Sequence, residues 1–415
     1  MKRTKIGDLG KREKNEPMNP LPGVWLIQNF GNTGVVETSD GLVLIDVAMP
    51  PFMGKTMSML RSALDAPIHS IFLTHRHLDH AAALDPIYDE AEQNNSAFPR
   101  TIAQRNMVRG FNRYRMLHGY HEHINRIQFA MPDNVEAFPL PKRNPDITFD
   151  KNLTLQIGGN LFEAFHAKGE TDDHLWVWVP EKKTVFTGDM MVSGFPNVGN
   201  PFKVQRYTLQ WAEGLEAIAG KDPEVLIPGH GNLVQGKDNI QDICLTTANA
   251  LRYLHDEVVK RLNDGMWYEE ILHDIEIPEK LTEPSFLKPM YGRPEFVIHG
   301  VLREYTGWYD GNPSNLFPPK RSAINREIVS LLGKDQIITH ARKLQQADQL
   351  DMALQFIDIA LSGDLKEAEE NECHQLKAAL LNSTGEKDTS LISRNIYHNG
   401  YKQEMKLAGL EDQID

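Results

Sequence analysis

Cysteine is nearly absent: Cys244 and Cys373 are the whole supply in 415 residues. Two thiols so far apart exclude both a disulfide framework and a cysteine-ligated zinc site, and leave two reduced core residues as the expectation. No segment approaches the ~18 consecutive apolar residues that a membrane helix needs. Residues 1–20, with Lys2, Arg3, Lys11, Arg12 and Lys14, also lack the apolar stretch of a secretory signal and read as a polar tail. An excess of basic charge is missing as well. The formal charge of −13 argues against a nucleic-acid or anionic-membrane partner, because phosphate binding needs uncompensated lysine and arginine. The expectation is a cytoplasmic protein with no nucleic-acid and no membrane partner.

What is present is ordinary globular composition, 40% apolar and 24% charged, in a chain longer than one hydrophobic core usually serves. Two domains follow. Short β-rich runs at 24–27 and 41–47 flank the turn residues Gly31, Asn32, Gly34 and Asp40. Met57, Leu60 and Leu64 give 54–64 a helical face. Further strands are readable at 70–74, 153–157, 161–166, 175–179, 184–187 and 224–227, with helical patterns at 210–219 and 238–263. Interleaved strands and helices make residues 21–265 an α/β domain. Beyond 265 strands vanish, and helical spacing such as Ala353/Phe356/Ala360 makes 266–415 an all-α domain.

The chemistry concentrates at Thr74-His75-Arg76-His77-Leu78-Asp79-His80, three imidazoles and a carboxylate directly after the apolar run Ile71-Phe72-Leu73. At a strand end His75 and His77 point the same way, since side chains alternate. Asp79 and His80 fall on the following turn and can face a second ion, so the spacing suits two metals. Asp46, Glu170, Asp189 and His230 each follow a readable strand and can converge on one rim. Asp46 reads as a carboxylate that orients the histidine loop. On the residues alone, the first ion's set is completed by Glu170, or by His174 or His166 with Glu170 outside. Asp172, Asp173 and His174 read as capping the turn after Glu170. His118, His121 and His123 read as a solvated helix or loop bordering the pocket.

The motif HxHxDH, with the downstream Gly188-Asp189 and Pro228-Gly229-His230-Gly231, resembles the metallo-β-lactamase-fold hydrolase superfamily. Glu170 in a ligand slot, and Gly307-Trp308-Tyr309-Asp310-Gly311-Asn312-Pro313 later, resemble its alkyl sulfatase branch. The resemblance implies an αββα sandwich followed by a helical dimerisation domain, and hence a homodimer. It assigns His75, His77 and Glu170 to one zinc, Asp79, His80 and His230 to the other, and Asp189 between them, two Zn2+ per chain. Two close Lewis acids lower the pKa of a shared water and supply a hydroxide nucleophile. Glu170 in place of an imidazole makes manganese or iron more tolerable.

The resemblance is weaker at the substrate. Pro201-Phe202-Lys203 lies over the branch's sulfate-holding Arg-Gly-Ala segment, so Lys203 or Arg206 is expected to supply the positive charge. His299 is the nearest substitute for a histidine of that branch and the expected leaving-group acid, beside Asp79 in the catalytic set. A small-molecule ester is the expected substrate, an alkyl sulfate first. A carboxylic ester, lactone or thioester hydrolase, and a non-catalytic metal-stabilised scaffold, are the alternatives.

Overall fold

The computed structural model describes residues 16–132 and 140–413. The expected polar tail lies mostly outside them. Its last residues, however, form a strand, β1 (Met18–Leu21), paired antiparallel with β2 (Val24–Ile27).

The described residues form two compact units, of which the larger runs to Gly307 and omits 123–135. Its first sheet takes β1 and β2, then β3 (Thr33–Thr38), β4 (Gly41–Ile45), β5 (Ile68–Phe72), β6 (Arg100–Gln104) and β7 (Ile147–Phe149), in that order. Pairing is antiparallel up to β4 and parallel beyond. The second sheet holds β8 (Asn152–Ile157), β9 (Asn160–His166), β10 (Leu175–Val179), β11 (Thr184–Gly188), β12 (Val225–Pro228) and β13 (Val234–Gln235), again in sequence order.

Three apolar clusters make this a four-layer sandwich. Val24, Val43, Ile45, Phe72, Phe162, Val177 and Phe186 fill the space between the sheets. Val35, Leu44 and Ile71, on the opposite face of the first sheet, bury against α1 (Pro50–Ala63), the helix Asp85–Gln93 and the helix Asn106–Met116. Trp176, Trp178 and Val185 bury against the helices Thr208–Ala219 and Lys237–Asn263 on the other side. A strand apolar on both faces is what a layer covered on both sides requires, and Leu175-Trp176-Val177-Trp178-Val179 is buried throughout. The αββα architecture is therefore present. The compact unit continues past 265 because Leu287, Val297, Val301 and Leu302 join the cluster around Trp211 and Leu251.

The described residues of the smaller unit, 123–132 and 308–413, are mostly helical. Ile337, Ala341, Leu344, Ala353, Ile357, Ala360, Leu376 and Leu380 form its core. Helix Arg321–Leu332 buries none of its residues fully: Ile328 and Val329 pack on this core, whereas Ile324, Leu331 and Leu332 stand exposed.

Candidate metal centre

Parallel pairing of β4, β5 and β6 places the ends of β4 and β5 side by side, so Asp46 and Thr74 emerge as neighbours. Asp46 sits at φ 63°, a backbone conformation that Asp tolerates better than most residues. Its Oδ1 accepts from Thr74 N at 2.6 Å, and its Oδ2 accepts from Thr74 Oγ1 at 2.7 Å and from His80 Nδ1 at 2.9 Å. The Thr74 hydroxyl, with its hydrogen given to Asp46, accepts from His75 Nδ1 at 3.0 Å. In the neutral form of each ring this leaves the lone pair on Nε2, the atom a cation would take. This is the orienting role expected of Asp46.

Those nitrogens face two groups of donors, one of His75, His77, Glu170 and Asp189 and one of Asp79, His80 and His230, each gathered within 4.8 Å. In the first, His75 Nε2 is 2.9 Å from His77 Nδ1, 3.5 Å from Glu170 Oε2 and 3.8 Å from Asp189 Oδ2, and His77 Nδ1 is 3.3 Å from Glu170 Oε2. In the second, His230 Nε2 is 3.2 Å from both Asp79 Oδ2 and His80 Nε2, and His80 Nε2 is 3.6 Å from Asp79 Oδ2. Asp189 reaches both, with Oδ1 at 3.3 Å from His80 Nε2.

These separations fit a cation. Ligands at 2.0–2.1 Å in a tetrahedron stand about 3.3 Å apart. Glu170 Oε2 and Asp189 Oδ1 are buried with no hydrogen-bond partner. So many lone pairs facing inward need positive charge among them.

The charges already press on one another. Burial, then the charge of His80, drives His75 well below the usual imidazole range. Burial also opposes the charged form of His80, but Asp189, Asp79 and Asp46 outweigh it and push the ring up to about 9. Burial raises Asp189 against the pull of His230. His77, Asp79 and His230 are partly exposed, at 21%, 18% and 27% of their side chains, and form the mouth.

Other expected residues take different places. Arg206 does not face solvent or the mouth: it is buried, and its guanidinium is committed to Glu170 and to Asn197 O, the latter at 2.8 Å. His299 lies in the helix Pro294–Tyr305 and pairs with Tyr268 Oη at 2.7 Å, and the charges it senses are those of Arg303 and Glu295, not the metal-facing groups. Lys203, by contrast, feels the charges of the centre. Burial, with the charge of Arg206, lowers its ammonium to about 7 against the pull of Glu170 and Asp79.

His174 is buried and stacks on His75 with ring centroids 4.9 Å apart, outside both donor groups. His166 Nε2 is turned to Asp172 O at 3.0 Å. Asp172 and Asp173 are not turn caps, because both pair with the buried guanidinium of Arg76 and so tie the histidine loop to the Glu170 loop. His118 and His121 lie on the helix His118–Gln128, as the helical option allowed. His121 packs on Tyr114 at 4.6 Å and senses Lys203, Arg113 and His77.

Sequence reasoning missed the residues that lash the His230 turn in place. Asn32 Nδ2 donates to Pro228 O and Gly231 O, both at 2.9 Å, and Gln28 Nε2 to Gly231 O at 2.7 Å. Nothing local marks them. The aromatic side of the mouth was also unseen, with Phe30 5.4 Å from the His230 ring and 6.2 Å from Phe52.

Residues 26–230 match the family model of the metallo-beta-lactamase superfamily, and residues 268–406 match that of alkyl sulfatase dimerisation. A linear primary-alkylsulfatase from Pseudomonas sp. (strain ATCC 19151) is 24% identical over 330 residues, 74% of this chain and 62% of that protein. An (R)-specific secondary-alkylsulfatase from Pseudomonas sp. is 23% identical over 415 residues, 92% of this chain and 61% of that one. The solved stereoselective inverting sec-alkylsulfatase from Pseudomonas sp. shares the fold, with a TM-score of 0.81 at 19% identity, covering 95% of this chain and 66% of that one. The chain spans about six tenths of the length of the curated relatives it matches. With a match to each of the two family models, and alkylsulfatase relatives that align over 74% and 92% of the chain, the chain belongs to the metallo-β-lactamase superfamily, in its alkyl sulfatase branch.

Proposed function

We propose that the protein is a dinuclear zinc-dependent hydrolase that cleaves an alkyl sulfate ester to an alcohol and sulfate, and that it works as a homodimer. The observation that carries this reading is the placement of Asp189 between two donor groups of cation-like spacing, with Oδ2 3.8 Å from His75 Nε2 and 3.5 Å from His230 Nε2, and Oδ1 3.3 Å from His80 Nε2. His75, His77 and Glu170 would hold one ion and Asp79, His80 and His230 the other. Zinc suits the nitrogen and oxygen donors, and Glu170 leaves manganese or iron tolerated. When bound, such a pair supplies Lewis acidity and a water-derived nucleophile near neutral pH.

The chain's own residues supply the rest. Asp46 and Thr74 keep His75 and His80 in the tautomer whose Nε2 faces the centre. Lys203, which feels the charges of Glu170 and Asp79 and is lowered to about 7, would offer the sulfate group a partial positive charge near neutral pH. Phe30 and Phe52 offer an apolar surface beside His230 for the alkyl part. For the homodimer, Trp308, Phe317 and Leu331, exposed at 76%, 88% and 82%, present apolar surface within the region matched to alkyl sulfatase dimerisation. Apolar patches of this kind are what association buries.

A carboxylic ester, lactone or thioester hydrolase is the second reading. It draws on Arg206, whose guanidinium is committed to Glu170 rather than presented to a tetrahedral anion. A substrate panel on zinc-loaded protein separates the two. Sulfate release from alkyl sulfates supports the first reading, whereas carboxylic acid release without sulfate release replaces it with the second. Inactivity of the loaded protein on both classes would leave a metal-stabilised scaffold. Oxygen-18 water then reports the bond broken, by label in sulfate for S–O fission or in the alcohol for C–O fission.

A further inference from the structure

A glutamate that serves beside two imidazoles must be turned so that one oxygen meets them and the other is occupied elsewhere. The two oxygens of Glu170 are divided in this way. Oε2 faces His75 and His77, while Oε1 accepts from Arg206 Nη1 and, at 3.2 Å, from Asn197 Nδ2. Arg206 is only 2% exposed, and the same Nη1 donates to Asn197 O, so the two residues also hold each other.

The loop that carries them is shaped by the helix Pro294–Tyr305. Gly199, at φ 68°, lies so close to this helix that a Cβ there would come within 1.5 Å of Phe296 O. Gln205 Nε2 donates to Gly300 O at 3.0 Å, and Arg303 Nη1 donates to Lys203 O at 3.1 Å. A chain of short contacts thus runs from the helix to the carboxylate.

We propose that Arg206 and Asn197 are positioning residues for the first cation, acting through Glu170, and that the helix Pro294–Tyr305 holds them in place. This rests on the reading of His75, His77 and Glu170 as one ion's donors. A guanidinium bound to one carboxylate oxygen fixes the plane of the group and leaves the other oxygen as a single directed donor. It also cancels the charge that Glu170 brings, so the group keeps the formal charge it would have with a neutral imidazole there. Without Arg206 a buried carboxylate would be free to rotate away from the imidazoles, and its charge would lose its partner.

The test is zinc titration of the metal-free full chain against a coloured chelator, with each step assigned by repeating it in His230→Ala protein, where only the first group is complete. Arg206→Met should weaken the first ion about 10–100-fold and leave the second unchanged. Arg206→Lys, which keeps the charge but on a shorter, more strongly hydrated ammonium, should fall between the two. Arg303→Met should weaken the same ion by a smaller factor. In a Glu170→Gln background, adding Arg206→Met should change little. Wild-type affinity in correctly folded Arg206→Met protein, equal loss at both ions, or an undiminished loss in the Glu170→Gln background would each overturn the proposal. If Arg206→Met does not fold, Arg206→Lys and Arg303→Met decide it by the same criterion. Failure of the wild type to bind zinc would sink the metal-centre reading itself, a separate result.

Discussion

Asp46→Asn should weaken both cations at once, although Asp46 belongs to neither donor group. Asn accepts the positive φ of this position about as readily as Asp, so the exchange leaves the backbone alone and alters only hydrogen bonding. The new amide must give its oxygen to Thr74 N, which turns its NH2 towards Thr74 Oγ1 and His80 Nδ1. Donor then meets donor at His80. The ring is relieved by moving its proton to Nε2, the atom that faces His230 and Asp189. The Thr74 hydroxyl, now receiving from the amide, turns its hydrogen to His75 Nδ1 and forces the same exchange there. Loss of such an orienting partner costs about 10–100-fold in metal affinity, or ~1.4–2.7 kcal/mol for each ion. Zinc titration of the metal-free variant reads both losses, and nitrogen-15 NMR reads the tautomers. Wild-type affinity for both ions would refute the argument, and a loss confined to the ion held by His80 would remove Thr74 from it.

Gly110→Ala would place a Cβ 2.0 Å from Arg76 Cδ, and Arg76 cannot yield because it is buried between Asp172 and Asp173. A cost of about 1–3 kcal/mol is expected, and an unchanged thermal midpoint would show that the contact relaxes freely. His299→Ala should leave zinc content intact and turnover within about threefold, the scale of indirect packing effects below ~1 kcal/mol; a fall of two or more decades with zinc retained would restore His299 as the leaving-group acid. Lys203→Met should raise KM for an alkyl sulfate about tenfold, as expected of a partly exposed charge-assisted contact of ~1.4 kcal/mol, with little change in kcat. The opposite split would place Lys203 in the chemical step. Phe317→Glu with Leu331→Glu should convert the proposed homodimer to monomer in light scattering while zinc content is kept; an unchanged dimer mass would move the interface elsewhere, and a monomeric wild type would remove the homodimer.

The donor residues were legible because the chemistry confines them to a few residue types at strand ends, and β10 and β11 announce themselves by uninterrupted β-branched and aromatic runs. β3 was hidden among the turn residues around Gly34, and β6, Arg-Thr-Ile-Ala-Gln, carries too little apolar character to stand out. Both are strands because of the sheet that receives them, a tertiary effect that local propensity does not contain. The same reason explains Arg206. Its partner Glu170 is distant in sequence, and the alignment that offered Arg206 to the substrate carries no sign of the burial that commits it to that carboxylate. His299 was placed by counting along a helix, which fixes spacing but not the face that meets Tyr268.

The number of cations held by the two donor groups is the most direct measure of a shared centre. Elemental analysis of the purified chain after zinc loading and removal of loose metal should give two zinc ions per chain, and Asp189→Asn, which changes the carboxylate shared by both groups, should lower the affinity of each. One ion or none in the zinc-loaded wild type, or two ions held undisturbed by the Asp189→Asn protein, would contradict it.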